Sequence, residues 1–211
     1  MAICYLVGAA PDAQTFEPQP GDLVLAADGG YAHLRAMGVT PDLVLGDFDS
    51  LEGEVPRHIP AQFFAKDKDA SDLALALEEG LRRNYRCFTL IGAGGGRPDH
   101  AFANLQLLVK AARCGAFAVL RDGDFSVTAL SEQGSLCLSG SGLVSVFAYG
   151  GTARGVCLRG MEYPLENAAL SDDTPRGLSN RLLGAQAEIA MESGTLLVFW
   201  ETEKAEALAN I

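Results

Sequence analysis

Long apolar runs are missing from this chain: "ICYLVGAA" and "LLVFW" are among the longest, at five to eight residues, far short of the ~20 that a spanning helix requires. No basic segment precedes the apolar start and no small-residue cleavage pattern follows it, so no secretory signal is expected. Basic charge is scarce. The 16 Lys and Arg are outnumbered by 27 Asp and Glu, for a net charge of −11 at pH 7, which excludes the basic face that DNA or RNA recognition needs. The five cysteines, Cys4, Cys87, Cys114, Cys137 and Cys157, are odd in number, widely spaced and free of any CxxC pair. Neither a zinc site nor a dithiol redox motif fits them, and they are expected to be reduced core residues of a soluble, cytoplasmic protein. Internal repeats and low-complexity segments are absent too.

What is present suffices for a substantial core: 211 residues, 48% of them hydrophobic, enough for one domain or two small ones. The rhythm changes near residue 123. Before it, "ICYLVG", "DLVLAA", "DLVLG", "QFFA", "CFTLIG" and "FAVLR" alternate with the helix-like "YAHLRAMG", "SDLALALEEGLRRN" and "DHAFANLQLLVKAARCG", the βαβ pattern of a mostly parallel sheet covered on both faces. After it come "FSVTAL", "SLCLSG", "LVSVFAY", "GVCLRGM", "AQAEIAM" and "TLLVFW", separated by Gly, Ser and Asp-Asp turns, as in a β-sandwich or barrel. A helical period returns only in the tail "EKAEALANI". The expected fold is therefore α/β: a mostly parallel α/β sandwich domain over residues 1–122, then an all-β sandwich domain over 123–211, with "RDGDF" as a tight joint.

The stretch "DLVLGDFDSL" starts as a buried strand and then sets Asp47 and Asp49 one residue apart. On an extended backbone both would project from one face, roughly 6.5–7 Å apart. Like charges so close call for a cation. Asp28 follows "LVLAA", Asp72 opens the segment "LALALEEGLRR" and Asp99 follows "TLIGAGGGRP". Most of these lie just beyond the carboxyl end of a strand, the edge where open α/β sheets bind ligands. A single Asp at such a corner is ordinarily a cap or turn residue, and Ser71 makes a good cap for its own helix. Five acids at once, two of them paired, point instead to a site. Carboxylates can face a polyphosphate when divalent cations stand between them.

The glycines of "GAGGGRPDH" suggest an anion cradle. The run has no Lys-Ser or Lys-Thr after it, so it is no Walker loop, and Arg97 stands where GxGxxG requires its third glycine. Beside such a loop, the Arg97 guanidinium suits a planar grip on phosphate; Lys66 and Lys68 of "AKDKDASD" are candidates for further phosphate partners, against the default of a solvated charged loop.

The ordered set "ADGG" (27–30), "PDLVLGDFDS" (41–50), "KDASDLALAL" (68–77), "GGRPDHAFANL" (95–105), "YPLENAAL" (163–170) and "GLSN" (177–180) closely resembles thiamine pyrophosphokinases. The resemblance spans most of the chain. It implies an N-terminal catalytic domain binding ATP and Mg2+, a C-terminal β-sandwich that helps bind thiamine, and a homodimer with shared active sites. Carried over position by position, Asp47, Asp49 and Asp72 would hold magnesium and serve catalysis. Asp28, Lys68, Ser71 and Arg97 would line the ATP and phosphate site. Asp99 would lie in the same pocket as a catalytic residue, with the identity of the carboxylate that takes the hydroxyl proton left open, and Ser179 and Asn180 would meet thiamine. Ser71 stands where Thr is usual, which keeps the hydroxyl. Trp200 matches no family motif and is expected in the core. The implied reaction is attack of thiamine's hydroxyl oxygen on the β-phosphorus of ATP, releasing AMP. A DxD pair also occurs in metal-dependent glycosyltransferases, and a non-catalytic nucleotide- or thiamine-binding module would share the two-domain plan. Leu51, in place of Thr or Val, disfavours a DxDx[TV] phosphatase.

Overall fold

The computed structural model describes residues 1–11, 13–48, 55–67 and 69–208, the side chains of Asp122, Ala185 and Leu208 excepted. The described chain forms two compact units, residues 1–107 with 118–123, and residues 108–117 with 124–211.

The first unit contains strands β1 (Cys4–Val7), β2 (Leu23–Ala27), β3 (Leu43–Gly46), β4 (Ala61–Phe63), β5 (Cys87–Ile91) and β6 (Phe117–Asp122). Its helices are α1 (Gly30–Met37), α2 (Asp72–Arg82) and the first part of α3 (Pro98–Arg113). The strands lie in the order β6-β5-β1-β2-β3-β4, and β1 pairs in parallel with both β2 and β5, β2 with β3, and β3 with β4. Every residue of β1, β2, β3 and β5 is buried, which explains why these strands read as unbroken apolar runs: both faces of a parallel sheet are covered. One face is filled by Tyr5, Val7, Val24, Ala26, Val44 and Ile91 against Tyr31 and Leu34 of α1.

Helix α2 begins where the Ser71 hydroxyl accepts a hydrogen bond from the Ala74 amide at 3.2 Å, satisfying one of the first-turn donors. It packs on β1, β2 and β3 and buries Leu73, Ala76 and Leu77. Its last turn carries Glu79, which accepts from Arg82 at 2.8 Å and from Arg83 at 2.7 Å. The Arg82 hydrogen bond, then that of Arg83, holds the Glu79 carboxyl down at about 2. A depressed carboxylate stabilises the fold above its unfolded value and loses that contribution as pH falls towards the folded one. Glu79→Gln is therefore expected to melt a few degrees lower than the parent at pH 7. The gap should close between about pH 4.5 and 2, as thermal melts across that range would show; the solvent around Arg82 keeps the effect near ~1 kcal/mol.

The second unit is antiparallel. Its strands are β7 (Phe125–Ser131), β8 (Ser135–Ala148), β9 (Ala153–Arg159), β10 (Leu165–Leu170), β11 (Asn180–Ala190), β12 (Thr195–Glu201) and β13 (Ala205–Leu208). They run in the order β10-β9-β11-β8-β12-β7, with β13 also on β8. An α/β unit followed by a β-rich unit is the fold class expected from the sequence.

Several details differ from that expectation. "SLCLSG" and "LVSVFAY" are one strand, β8, whose register against β11 shifts between Leu183 and Gln186; the Gly and Ser residues that read as a turn lie within that strand. Within the tail, Ala205–Leu208 form a strand, not a helix. β12 pairs with β8 only from Val144 to Ala148, which leaves backbone groups of Cys137–Gly140 to be paired, and β13 supplies the partner. Among the cysteines, none of them in a disulfide, Cys4 and Cys87 are buried but Cys114 is exposed, so the expectation of five core thiols fails there. Trp200 is buried on β12, at 2% exposure.

Candidate active site

The sheet of the first unit reverses direction at β1. From β1 the chain builds β2, β3 and β4 on one side, then returns to place β5 and β6 on the other. Open α/β sheets bind ligands at such a point, in the crevice beyond the carboxyl ends of the strands. Gly8 and Gly92 make its floor. The Gly8 amide donates to the Ile91 carbonyl and the Ala10 amide to the Gly92 carbonyl, each at 2.8 Å. The backbones are so close that a Cβ on Gly8 would lie 2.5 Å from the Gly92 oxygen. Above them is a cavity of about 540 Å3.

Three carboxylates come to this cavity from three elements: Asp28 beyond β2, Asp47 beyond β3 and Asp72 at the start of α2. Asp28 is buried, and its backbone is left-handed, with φ 45°. Its amide donates to the Leu45 carbonyl at 2.7 Å and its carbonyl accepts from Tyr31 at 3.1 Å. Gly46 lies directly over it, where a Cβ would sit 2.9 Å from the Asp28 Cβ. Asp47 and Asp72 are half-buried. Ser71, Arg97 and Lys66 line the same cavity, whereas Asp49 and Lys68 lie outside the described residues.

The geometry around the acidic pair departs from the sequence reading. β3 ends at Gly46, and Phe48, between the two acids, has φ 61°. The extended backbone of β3 does not continue through that residue. The Phe48 ring packs against the core cluster and stands edge-on to Phe63 with centroids 6.1 Å apart. The turn is therefore anchored by an apolar side chain.

Among the described residues no cluster of three or more His, Cys, Asp and Glu is close enough to hold a metal. The donor set is nevertheless the right kind for magnesium: hard carboxylate oxygens on a cavity wall, with room for the waters that Mg2+ retains. One oxygen of Asp28 and one of Asp72 are shut off from solvent, and carboxylates so placed favour a cation.

Arg97 and Asp99 meet at the mouth of the glycine loop. Arg97 donates through Nη2 to Asp99 Oδ2 at 2.6 Å and through Nε to Oδ1 at 3.2 Å, and the His100 amide adds a bond to Oδ1 at 3.0 Å. The Arg97 hydrogen bonds hold the Asp99 carboxyl down at about 2. A carboxyl so acidic is a poor proton acceptor near neutrality. Asp99 does not line the cavity with the other acids. An anion that engages Arg97 must compete with Asp99. Asp99→Asn is expected to tighten binding of inorganic pyrophosphate about two- to fivefold at pH 7, the range that releasing an exposed ion pair allows, which titration calorimetry measures.

The sequence reading passed over three contributors. The loop Gly8–Pro11 lines the cavity with backbone and small side chains only, so its residue types carried no chemical signal beyond a glycine after a strand. His100 lines it as well. Asn104 is 7% exposed and donates through Nδ2 to the Ala93 carbonyl at 2.7 Å, tying α3 to the loop after β5. A polar residue one turn before Leu108 on an otherwise apolar helix face was the available clue.

Ser179 and Asn180 belong to the second unit and do not line this cavity. Ser179 has φ 57° and an exposed side chain, and its amide donates to the Ser145 hydroxyl at 3.0 Å. Asn180 is buried at the start of β11. Its Oδ1 accepts from the Tyr163 and Arg181 amides, both at 2.9 Å, and its Nδ2 donates to the Tyr163 carbonyl at 2.8 Å. Asn180 thus fixes the Tyr163 backbone and helps line a second cavity of about 430 Å3, together with Tyr163, Pro164, Arg176 and Leu178.

Residues 19–119 match the thiamin pyrophosphokinase catalytic domain, and residues 139–196 match the vitamin B1 binding domain of the same family. A curated relative, thiamine pyrophosphokinase of Bacillus subtilis, is 27% identical over 197 residues, covering 86% of this chain and 88% of its own. The crystal structure of thiamine pyrophosphokinase from Bacillus subtilis superposes with a TM-score of 0.85 at 24% identity, covering 96% of this chain and 100% of that one. That of the Geobacillus thermodenitrificans protein gives 0.79 at 26% identity, covering 96% and 98%. Matched by both of its domains in sequence and along nearly its whole length in structure, the chain belongs to the thiamin pyrophosphokinase family.

Proposed function

We propose that this chain is a thiamine diphosphokinase, transferring pyrophosphate from ATP to the hydroxyl of thiamine to give thiamine diphosphate and AMP. The observation that carries the reading is the cavity at the reversal point of the sheet, where Asp28, Asp47 and Asp72 face a glycine loop and Arg97. Transfer of this type asks a protein for positioning and charge neutralisation more than for covalent chemistry. The glycine loop lets backbone amides approach the polyphosphate. Arg97 exchanges its Asp99 partner for a phosphate oxygen, and Lys66 and Lys68 add positive charge. Asp47 and Asp72, with Asp49, would hold Mg2+, which when bound neutralises charge on the phosphate oxygens. Ser71 caps α2 and so fixes the direction in which Asp72 enters the cavity. Asn180 keeps Tyr163 in place at the second cavity, where thiamine is held with Ser179 alongside.

The protein would act as a cytoplasmic homodimer. No described helix is long and apolar enough to cross a membrane. Incubation with ATP, Mg2+ and thiamine should yield AMP and thiamine diphosphate in equal amounts by chromatography. Binding of both without AMP would mean a non-catalytic module, and activity on a nucleotide sugar alone would mean a glycosyltransferase. ATP affinity should fall at least tenfold in chelator, because carboxylates facing a triphosphate without cations repel it. Unchanged affinity by calorimetry would remove the metal assignment.

A further inference from the structure

We infer that Asp28 accepts a hydrogen bond from a ribose hydroxyl of the bound nucleotide, an assignment that rests on the reading of this cavity as an ATP site. A carboxylate has nothing to donate to a phosphate and repels it; what it recognises is a cation or a hydrogen-bond donor, and the place of Asp28 in the sheet favours the donor. Asp28 is 9% exposed, and its Oδ1 is buried without a hydrogen-bond partner. A buried acceptor in that state costs free energy unless a ligand completes it.

The chain maintains this arrangement at some strain. Asp28 holds φ 45°, an uncommon backbone for a residue with a side chain, and the residue over it, Gly46, has no side chain to block it. The position also has a chemical meaning. In doubly wound sheets with a glycine turn after the first strand, an acid about 20 residues further on, at the end of the second strand, takes the ribose hydroxyl. Gly8 follows β1, Asp28 follows β2 directly, and 28 − 8 gives a step of 20 residues. Both line one cavity. The adenosine end of the nucleotide would therefore lie over β1 and β2, with its phosphates directed to the glycine loop after β5.

The test compares ATP with 2′-deoxy-ATP and 3′-deoxy-ATP, each with Mg2+, by calorimetry on the wild-type protein, Asp28→Gly and Asp28→Asn. Glycine suits the left-handed backbone, so thermal melts should show Asp28→Gly folded. One of the two deoxy nucleotides is expected to bind wild type at least ~10-fold more weakly than ATP, the range for a hydrogen bond to a charged group. In Asp28→Gly that discrimination should shrink below about threefold, and Asp28→Asn, which keeps a neutral acceptor, should fall between. Equal binding of all three nucleotides by wild type, or discrimination undiminished in Asp28→Gly, would overturn the inference. So would loss of affinity for Mg2+ alone in the variants with no ribose effect, since Asp28 would then be a metal ligand. Thiamine carrying hydrogen in place of its hydroxyl forms the control arm: an Asp28-dependent loss there and not with the deoxy nucleotides would assign the acceptor to thiamine and reject the ribose. Wild type that forms AMP from ATP and thiamine yet ignores the ribose hydroxyls would sink this inference and leave the proposed function standing.

Discussion

Asp47→Asn and Asp72→Asn should each lower turnover at least ~100-fold, the scale on which losing one charge-stabilising group at a reaction centre is felt. Asp49→Asn should behave alike. The metal-free Asp47 and Asp72 variants should melt no lower than the parent, since each removes one negative charge from a cavity wall that carries several. The two readouts separate a metal-binding role from a structural one: a carboxylate serving as a cap or turn residue would lower the melting temperature and spare turnover. Excess Mg2+ should partly restore Asp72→Asn if the remaining ligands still bind weakly. Full activity in all three variants would remove the magnesium assignment.

Mixing two inactive variants should restore activity. Asp72 lines the cavity of the first unit and Asn180 that of the second. If each site takes its ATP-binding part from one protomer and its thiamine-binding part from the partner, Asp72→Asn combined with Asn180→Ala gives hybrids with one doubly damaged site and one intact site. Random exchange makes about half of the dimers hybrid, so activity should climb to about a quarter of wild type. Asn180→Ala removes the acceptor of the part-buried Tyr163 amide, at a cost of ~1 kcal/mol, and should melt a few degrees lower while folded at 25 °C. Proven exchange without recovery, both parents being inactive, would place the whole site within one chain.

Much of the first unit is legible in the sequence because its signals are local. Unbroken apolar runs such as "CYLV" and "LVLAA" can be buried only between two layers of helix, and Ser71 stands directly before the periodic apolar face of α2. The second unit is less so. Whether Ala205–Leu208 forms helix or strand depended on the β8 edge that β12 leaves open, a partner some 65 residues away. Asn180 illustrates the same limit: residue type marks it as polar in a conspicuous tetrapeptide, but its amide is spent on the Tyr163 backbone.

By itself the sequence determined which candidates stand near strand ends, acids, a glycine run and one arginine in a fixed order, because residue type and spacing are properties of the chain. Tertiary structure decided which of them share a cavity. The reversal of strand order at β1 draws Gly8, Asp28, Asp47, Asp72 and Arg97 together and leaves Asp99 paired outside the cavity wall. Tertiary structure also set the backbone at Phe48, where the half-buried ring packs against the core and the chain leaves the extended region. Those outcomes follow from contacts between residues distant in the chain, and so no local pattern encodes them.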